Sequence, residues 1–428
     1  MTPLSPNTQA ILLLTAPLLA ERGSSSADLL TLGEYNRLTR ILREKQKQPA
    51  DFLGQEAGEV LGWCAPLFGR PRLESLLGRG FLLSQAVERW QARAIWVVSR
   101  ADASYPRRLK TRLKEDAPPV LYGCGNAALL ETGGLAVVGS RNADEELLAY
   151  SQAVGRLAAE GQRTLVSGGA RGIDRAAMAG ALLADGKVAG VMADSMERAV
   201  VAHDNREPLM DGKLILISPY DPAAGFNVGN AMQRNKVIYA LADAALVVSA
   251  DFQKGGTWEG AVEQLERLRF VPVFVRNAPQ AAKGNTALLQ RGGLPWPEPH
   301  TAYELAEALQ AAVSNAAAEP RQEILSFALR EQASAYRAAK TLEPRRDSIP
   351  DQVASAAVKA PAVQLRDVVR ELLVRELAEP RTSTDIAQLL GVSKAQANAW
   401  LAWLAEEGTV TKLAKPTRFQ VAGVGRLL

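Results

Sequence analysis

The sequence predicts a doubly wound α/β fold: a mostly parallel sheet, preceded by an N-terminal helical region and followed by a C-terminal winged helix. Two observations predict the sheet. Six short apolar runs, Leu135–Val138, Thr164–Ser167, Val188–Met192, Leu214–Ser218, Ala245–Val248 and Val271–Val275, are continuous rather than alternating. Helix-length patterns separate most of them, and that combination marks parallel strands covered on both faces. A third observation predicts the last domain. Apolar periodicity returns at Val368, Leu372, Leu373 and Leu377, then at Ile386-Ala387 and Leu389-Leu390. Gly391-Val392-Ser393 makes a turn into an amphipathic helix over Lys394–Glu407, and Thr409–Leu413 with Arg418–Val421 reads as a hairpin.

Taken in order, residues 1–115 read as short helices broken by Gly and Pro, with a helix-hairpin-helix or SAM-like module as one reading. Ser5-Pro6-Asn7 is a helix start before Ile11–Leu14, and Leu83, Val87 and Trp90 share one helical face. Ile95–Ser99 is a short strand candidate. Residues 116–300 hold the sheet, with strands expected to stop after Ala278. Residues 301–362 read as a helical segment and linker, with one helix around 321–339 and with Pro320, Pro344, Pro350 and Pro361. Residues 363–428 form the winged helix-turn-helix.

The 428 residues carry 50 Lys+Arg against 46 Asp+Glu, a net charge of +4 that by itself names no partner. Cys64 and Cys124 are too few for a disulfide framework, which fits a reducing cytoplasm. Two scattered histidines, His203 and His300, speak against a His- or Cys-based metal site, and no cofactor is expected. The apolar stretch Ala10–Ala20 is too short to span a bilayer, so no membrane role is expected.

The chemically informative residues fall where strands end, because doubly wound sheets bind ligands at the carboxyl edge of their strands. The first loop is Gly139-Ser140-Arg141-Asn142: a glycine for close approach, a hydroxyl, and a planar guanidinium suited to phosphate. Arg141 precedes a helix starting near Asp144, whose amides favour anions. The second loop, Ser167-Gly168-Gly169-Ala170-Arg171-Gly172-Ile173-Asp174, has three glycines in six residues, a backbone nest for an anion with Asp174 as helix cap. Its plainer reading is tight helix–sheet packing, which leaves Arg171 unexplained. The third loop, Lys254-Gly255-Gly256-Thr257, opens a helix carrying Glu259 and Glu263. Gln233-Arg234-Asn235-Lys236 reads either as a solvated helix face or as more positive charge at the same edge.

At these residues the chain resembles the bacterial DNA-processing protein A (DprA/Smf) family. The resemblance runs through Val137-Val138-Gly139-Ser140-Arg141, the Ser167–Asp174 signature with Ala177 and Gly180-Ala181-Leu182, then Ser218-Pro219-Tyr220, Arg234-Asn235-Lys236-Val237-Ile238 and Leu241–Val248. Upstream, Asp102–Leu109 and Pro118–Tyr122 look like the entry to that family's Rossmann-like domain. The similarity covers about 70–275. It implies single-stranded DNA bound in a basic pocket of a dimeric, non-enzymatic, cytoplasmic protein. It also implies delivery of that strand to the RecA recombinase in transformation or repair, with defence against foreign DNA as a further setting. Carried over by position, Arg141, Ser167, Gly168, Arg171, Arg234 and Lys236 are the DNA-contact candidates; Gly139, Ser140, Gly169, Asn235, Lys254, Gly255, Gly256 and Thr257 complete the phosphate-binding set. The chain departs from the family at Met178, where members commonly carry His, at Asn142–Asp144, in the Asn230–Lys236 stretch and at Gly255-Gly256-Thr257-Trp258.

Two other readings stay open. Gly255-Gly256-Thr257-Trp258-Glu259 resembles the wider nucleotide-binding (lysine-decarboxylase-like, SLOG) superfamily that includes nucleoside-monophosphate phosphoribohydrolases. Glu259 and Glu263, four apart on one helical face, would then be the carboxylates of a nucleotide-cleaving enzyme, the protein otherwise being a nucleotide sensor. Alternatively, the winged helix reads duplex DNA as a regulator, with Ser393, Lys394, Gln396 and Asn398 at the groove. Its nine Lys+Arg against seven Asp+Glu are few for a tight DNA binder, and Trp400, Leu401 and Leu404 read as core.

Overall fold

The computed structural model describes residues 4–18, 28–278 and 281–318, and, nearer the C-terminus, 370, 373–377, 380–390, 394–407, 409–413 and 418–421. The chain divides into two compact units, Met1–Leu329 and Arg330–Leu428.

The first unit begins with five helices, α1 (Pro6–Thr15), α2 (Leu32–Glu44), α3 (Ala57–Phe68), α4 (Arg70–Leu77) and α5 (Gly80–Gln91). Ser5 caps α1 by accepting from the Thr8 amide, with Pro6 in the first helical position, as the sequence predicts. Thr31 and Glu34 form a capping box at the start of α2. The first four enclose a core of Leu14, Leu38, Phe52, Val60, Cys64, Phe68, Leu73 and Leu76, while α5 joins the core of the sheet through Leu83, Ala86 and Trp90.

The sheet follows: β1 (Trp96–Ser99), α6 (Arg107–Leu113), β2 (Val120–Gly125), β3 (Leu135–Gly139), α7 (Glu145–Glu160), β4 (Leu165–Ser167), α8 (Ile173–Leu183), β5 (Val188–Val191), α9 (Met196–Val200), α10 (His203–Met210), β6 (Leu214–Ser218), α11 (Val228–Leu241), β7 (Ala244–Ser249), α12 (Gly255–Glu263), β8 (Val273–Val275), α13 (Lys283–Gln290), β9 (Leu294–Pro295) and α14 (Ala302–Ala318). Its nine strands lie in the order β1-β2-β6-β5-β4-β3-β7-β8-β9. From β6 to β9 every neighbouring pair is parallel, while β1 and β2 add an antiparallel edge. Each predicted apolar run is a strand. The expectation that strands stop after Ala278 is corrected by β9, two exposed residues paired to β8 that carry no apolar signal. The β1 strand also joins this sheet from within the 1–115 region.

Strand side chains alternate between two cores, as a sheet covered on both faces requires. Leu135, Val137, Leu165, Val188, Leu214 and Leu246 face α7 and α8. Ala136, Val138, Val166, Ala189, Ile215, Ala245 and Val247 face the side of α6, α11 and α12. The first pair of helices packs so closely that a Cβ on Gly155 would lie 2.0 Å from the Ala177 carbonyl, and one on Gly180 2.0 Å from that of Gln152. Gly180 of the family-like signature is thereby a packing residue.

The second unit contains helices Ser383–Leu390 and Lys394–Glu406 and an antiparallel hairpin of β10 (Val410–Leu413) and β11 (Arg418–Val421). Arg381 bridges to Phe419, and Leu373, Leu377, Ile386, Leu401, Leu404, Val410 and Phe419 form its core. The predicted helix at 321–339, the Gly391–Ser393 turn and the Lys394 and Gln396 side chains lie outside the described residues.

Candidate functional site

The strand order reverses at β3: β4, β5 and β6 lie to one side of it and β7, β8 and β9 to the other. A crevice opens at such a point beyond the carboxyl ends of the strands. The predicted loops converge there through direct bonds. The Ser140 amide donates to the Ser249 carbonyl at 3.0 Å, and the Thr257 hydroxyl donates to the Gly139 carbonyl at 2.9 Å. The Asn235 amide nitrogen donates to the Gly256 carbonyl at 2.7 Å. Lys236 stands 3.4 Å from the Glu263 carboxylate, tying α11 to α12. Gly172, with φ of +91°, lets its loop close on the Ser140 and Arg141 carbonyls; a Cβ there would lie 2.5 Å from the former.

Behind the loops is a buried polar layer. Asp174, expected to cap α8, is its second residue; Gly172 holds the cap position. Its carboxylate instead accepts the amides of Gly139 at 3.2 Å and Gly168 at 3.1 Å. The glycine nest thus holds the protein's own carboxylate, which corrects the expectation that the Gly168 amide serves an external anion. Burial raises the Asp174 pKa above its ordinary value, opposed by the Arg234 charge and by the amides of Gly139, Ala170 and Gly168. The Ser167 hydroxyl is fully buried and donates to the Val137 carbonyl at 2.6 Å, a tie between β4 and β3.

Arg234 is corrected in the same sense. It is 5% exposed, donates to the Val191 carbonyl at 2.9 Å, and lies against Gly168, where a Cβ would sit 1.6 Å from its Nη1. Burial lowers its pKa, partly offset by Asp174 across the loop. Its Nε is buried without a hydrogen-bond partner. Asn235, Lys236 and Thr257, proposed from sequence as phosphate contacts, have their polar ends engaged in joining loops.

What faces outward is smaller and simpler. Arg141, Arg171 and Lys254 are exposed, and among the described residues none of them has a carboxylate partner. Arg171 donates to the Asn142 side chain at 3.3 Å, and the Arg141 guanidinium lies 5.0 Å from the Phe226 ring centroid. The nearby N-terminus of α7 is already neutralised by its own acids. Asp144 caps it by accepting from Leu147, and Glu145 and Glu146 follow. The anion preference expected for that helix end is therefore satisfied internally. Gly255 opens α12 with free space around it. Ser140 bonds locally with Asn142, and Gly169 packs beside Met192.

The carboxylates of the enzymatic reading are not paired with each other. Glu263 is bound to Lys236 and Arg267, while Glu259 is exposed. Among the described residues no group of three His, Cys, Asp or Glu side chains could hold a metal. A groove of about 1270 Å³, lined among others by Trp90, Trp96, Cys124, Asn126 and Met210, lies at the opposite sheet edge, beside the first residues of β6. Arg93 and Arg206 line that groove, whereas Arg141, Arg171 and Lys254 stand at the loops.

Two features escaped the sequence reading. Phe226 is an isolated aromatic in a Gly/Asn-rich stretch, without periodic signal. The other is how α6 holds the end of α11 from behind: Arg108 pairs with Asp243 at 2.8 Å, and Arg112 donates to the Ala240 carbonyl at 2.9 Å. Cations at the carbonyl end of a helix complement its dipole.

Comparisons with known proteins agree with this architecture. Residues 96–304 match the model of the family described as DNA recombination-mediator protein A. Protein Smf of Synechocystis sp. is 27% identical over 206 residues, which is 46% of this chain and 50% of that protein. DNA processing protein DprA of Bacillus subtilis is 29% identical over 196 residues, 44% of this chain and 63% of that protein. The chain thus spans less than two thirds of the length of these curated relatives. The solved structure of DprA from Streptococcus pneumoniae has a TM-score of 0.52 at 20% identity, covering 65% of this chain and 93% of that one, a likeness of fold.

Proposed function

From the premise that the chain belongs to the DprA/Smf family through residues 96–304, we propose that it binds single-stranded DNA at the β3/β7 crevice and acts in DNA processing. The observation that carries this reading is the set of exposed cations Arg141, Arg171 and Lys254, none with a carboxylate partner among the described residues, at the point where the strand order reverses. A polyanion brings them the charge that the fold withholds, and release of its counterions supplies the affinity. Arg234 backs the crevice with a buried positive charge whose Nε is unpartnered. We read the protein as a binder, a reading supported by Glu263, which Lys236 and Arg267 engage. Homodimerisation, delivery of the strand to RecA, and a role in uptake or defence belong to the same proposal. So does a cytoplasmic location, which suits two buried, unpaired cysteines. Among the described residues no helix is long and apolar enough to cross a membrane.

The C-terminal helices and hairpin we read as a winged helix with an auxiliary role, because Arg141, Arg171 and Lys254 all belong to the other unit. A salt titration of binding to single-stranded and duplex oligonucleotides, with mononucleotides as competitors, tests the proposal. Single strands should bind in preference, with affinity falling steeply as salt rises and little competition from mononucleotides. Binding of mononucleotides without binding of oligonucleotides would favour the nucleotide-sensor reading. Duplex binding that disappears when residues 363–428 are removed would favour the regulator.

A further inference from the structure

We propose that Phe226 seats an unpaired base beside the Arg141 phosphate site, an inference that rests on the single-strand reading above. Phe226 is 55% exposed, and it begins an apolar patch with Val228 at 64% and Met232 at 36%. The last two are four apart on α11 and share a face. This patch is held on an ordered frame. The Ala224 carbonyl accepts the Ser195 amide at 2.8 Å, and the Ala224 amide donates to the Asp221 carbonyl at 2.8 Å. On the other side of Phe226, Asn227 caps α11 by accepting from the Asn230 amide at 3.1 Å. The Tyr220 hydroxyl donates to the Asn230 carbonyl at 3.1 Å, closing the loop at its base. Anchors on both sides of one exposed phenyl ring present it to a partner at little further cost in chain entropy.

The neighbours identify that partner. The Arg141 guanidinium lies 5.0 Å from the ring centroid, so a cation and a π-face occupy one spot on the crevice rim. Arg171, from the adjoining loop, adds a second exposed cation. An alternating chain of phosphates and planar bases matches that pair of groups, the ring stacking a base while the guanidinium takes the adjacent phosphate. A duplex keeps its bases stacked internally and offers the ring nothing, so Phe226 supplies a preference for single strands that charge alone does not.

The test compares the full-length protein with Phe226→Ala and Phe226→Trp. It measures binding to an oligothymidylate, to an abasic strand of equal length, and to a strand carrying one 2-aminopurine. The Ala variant should bind the oligothymidylate roughly five- to a hundredfold more weakly, the range of one lost base–aromatic stack. Its salt slope should match the parent's, because no phosphate contact is removed, and its binding to the abasic strand should barely change. The Trp variant should restore affinity, and 2-aminopurine quenching should follow the ring. Affinity for oligothymidylate within twofold of the parent in the Ala variant would overturn this inference and leave the single-strand reading standing. A parent that binds no single strand would overturn both. A flattened salt slope in the Ala variant would assign the loss to Arg141 instead of stacking. A changed oligomeric state with unchanged affinity would make the patch a contact between copies of the chain, also against the proposal.

Discussion

Asp174 and Arg141 both belong to loops at the ends of β3 and β4, yet one is buried and bonded to two backbone amides while the other is exposed and faces only a phenyl ring. The same contrast runs through the whole crevice. Ser167, Gly168, Asp174 and Arg234 form an inner layer whose polar groups mostly bond to each other or to strand carbonyls. Arg141, Arg171, Lys254 and Phe226 form a rim that the fold leaves largely unsatisfied. Motif residues of a loop thus divide into those that build its shape and those left for a ligand. Buried polar groups must find partners inside the protein, whereas exposed ones need none.

The sharpest way to break this contrast is Asp174→Ala. It leaves Arg234 buried without its counter-charge and removes the acceptor of the Gly139 and Gly168 amides. Removing one member of a buried charge set costs about 3–5 kcal/mol, a large part of a total stability on the order of 5–15 kcal/mol. Urea unfolding should show that loss; a variant as stable as the parent would mean that the layer does not hold the loops.

A smaller effect comes from Glu34, a carboxylate in a setting opposite to that of Asp174. Where burial raises Asp174, the Arg72 guanidinium and the Thr31 amide hold the Glu34 pKa at about 2, below its ordinary 4.5. A carboxylate with a depressed folded pKa contributes stability above its unfolded value and loses it as pH falls. The melting temperature of Glu34→Gln should therefore lie below the parent's at neutral pH, and the two should converge between about pH 4.5 and 2. Parallel curves throughout that window would show that the ion pair contributes nothing.

The sheet was legible because buried parallel strands are unbroken apolar runs, and β3 to β8 appear where those runs lie. The β9 strand escaped because Leu294 and Pro295 are exposed and too short to show a pattern. In the crevice, the loops could be gathered from strand ends alone, but their burial could not. Whether Ser167 or Arg141 faces solvent depends on how α8 and α11 pack over the strand ends. The sequence places a serine, an arginine and glycines in both layers alike. Asp174 looked like a helix cap because an acid near a helix start usually is one; its bond to the Gly139 amide, 35 residues away in sequence, is a tertiary event.

The division into layer and rim is tested most directly by the double variant Arg141→Ala/Arg171→Ala, with urea stability and salt-dependent binding to a single-stranded oligonucleotide measured on the same preparation. Exposed side chains without ion pairs should change stability by less than about 0.5 kcal/mol. Their loss should lower affinity and reduce the slope of log affinity against log salt by roughly 0.7 for each phosphate contact removed. A double variant that binds with the parent's affinity and slope would contradict the assignment of the rim, and one that unfolds with the ease expected of Asp174→Ala would erase the distinction between the two layers.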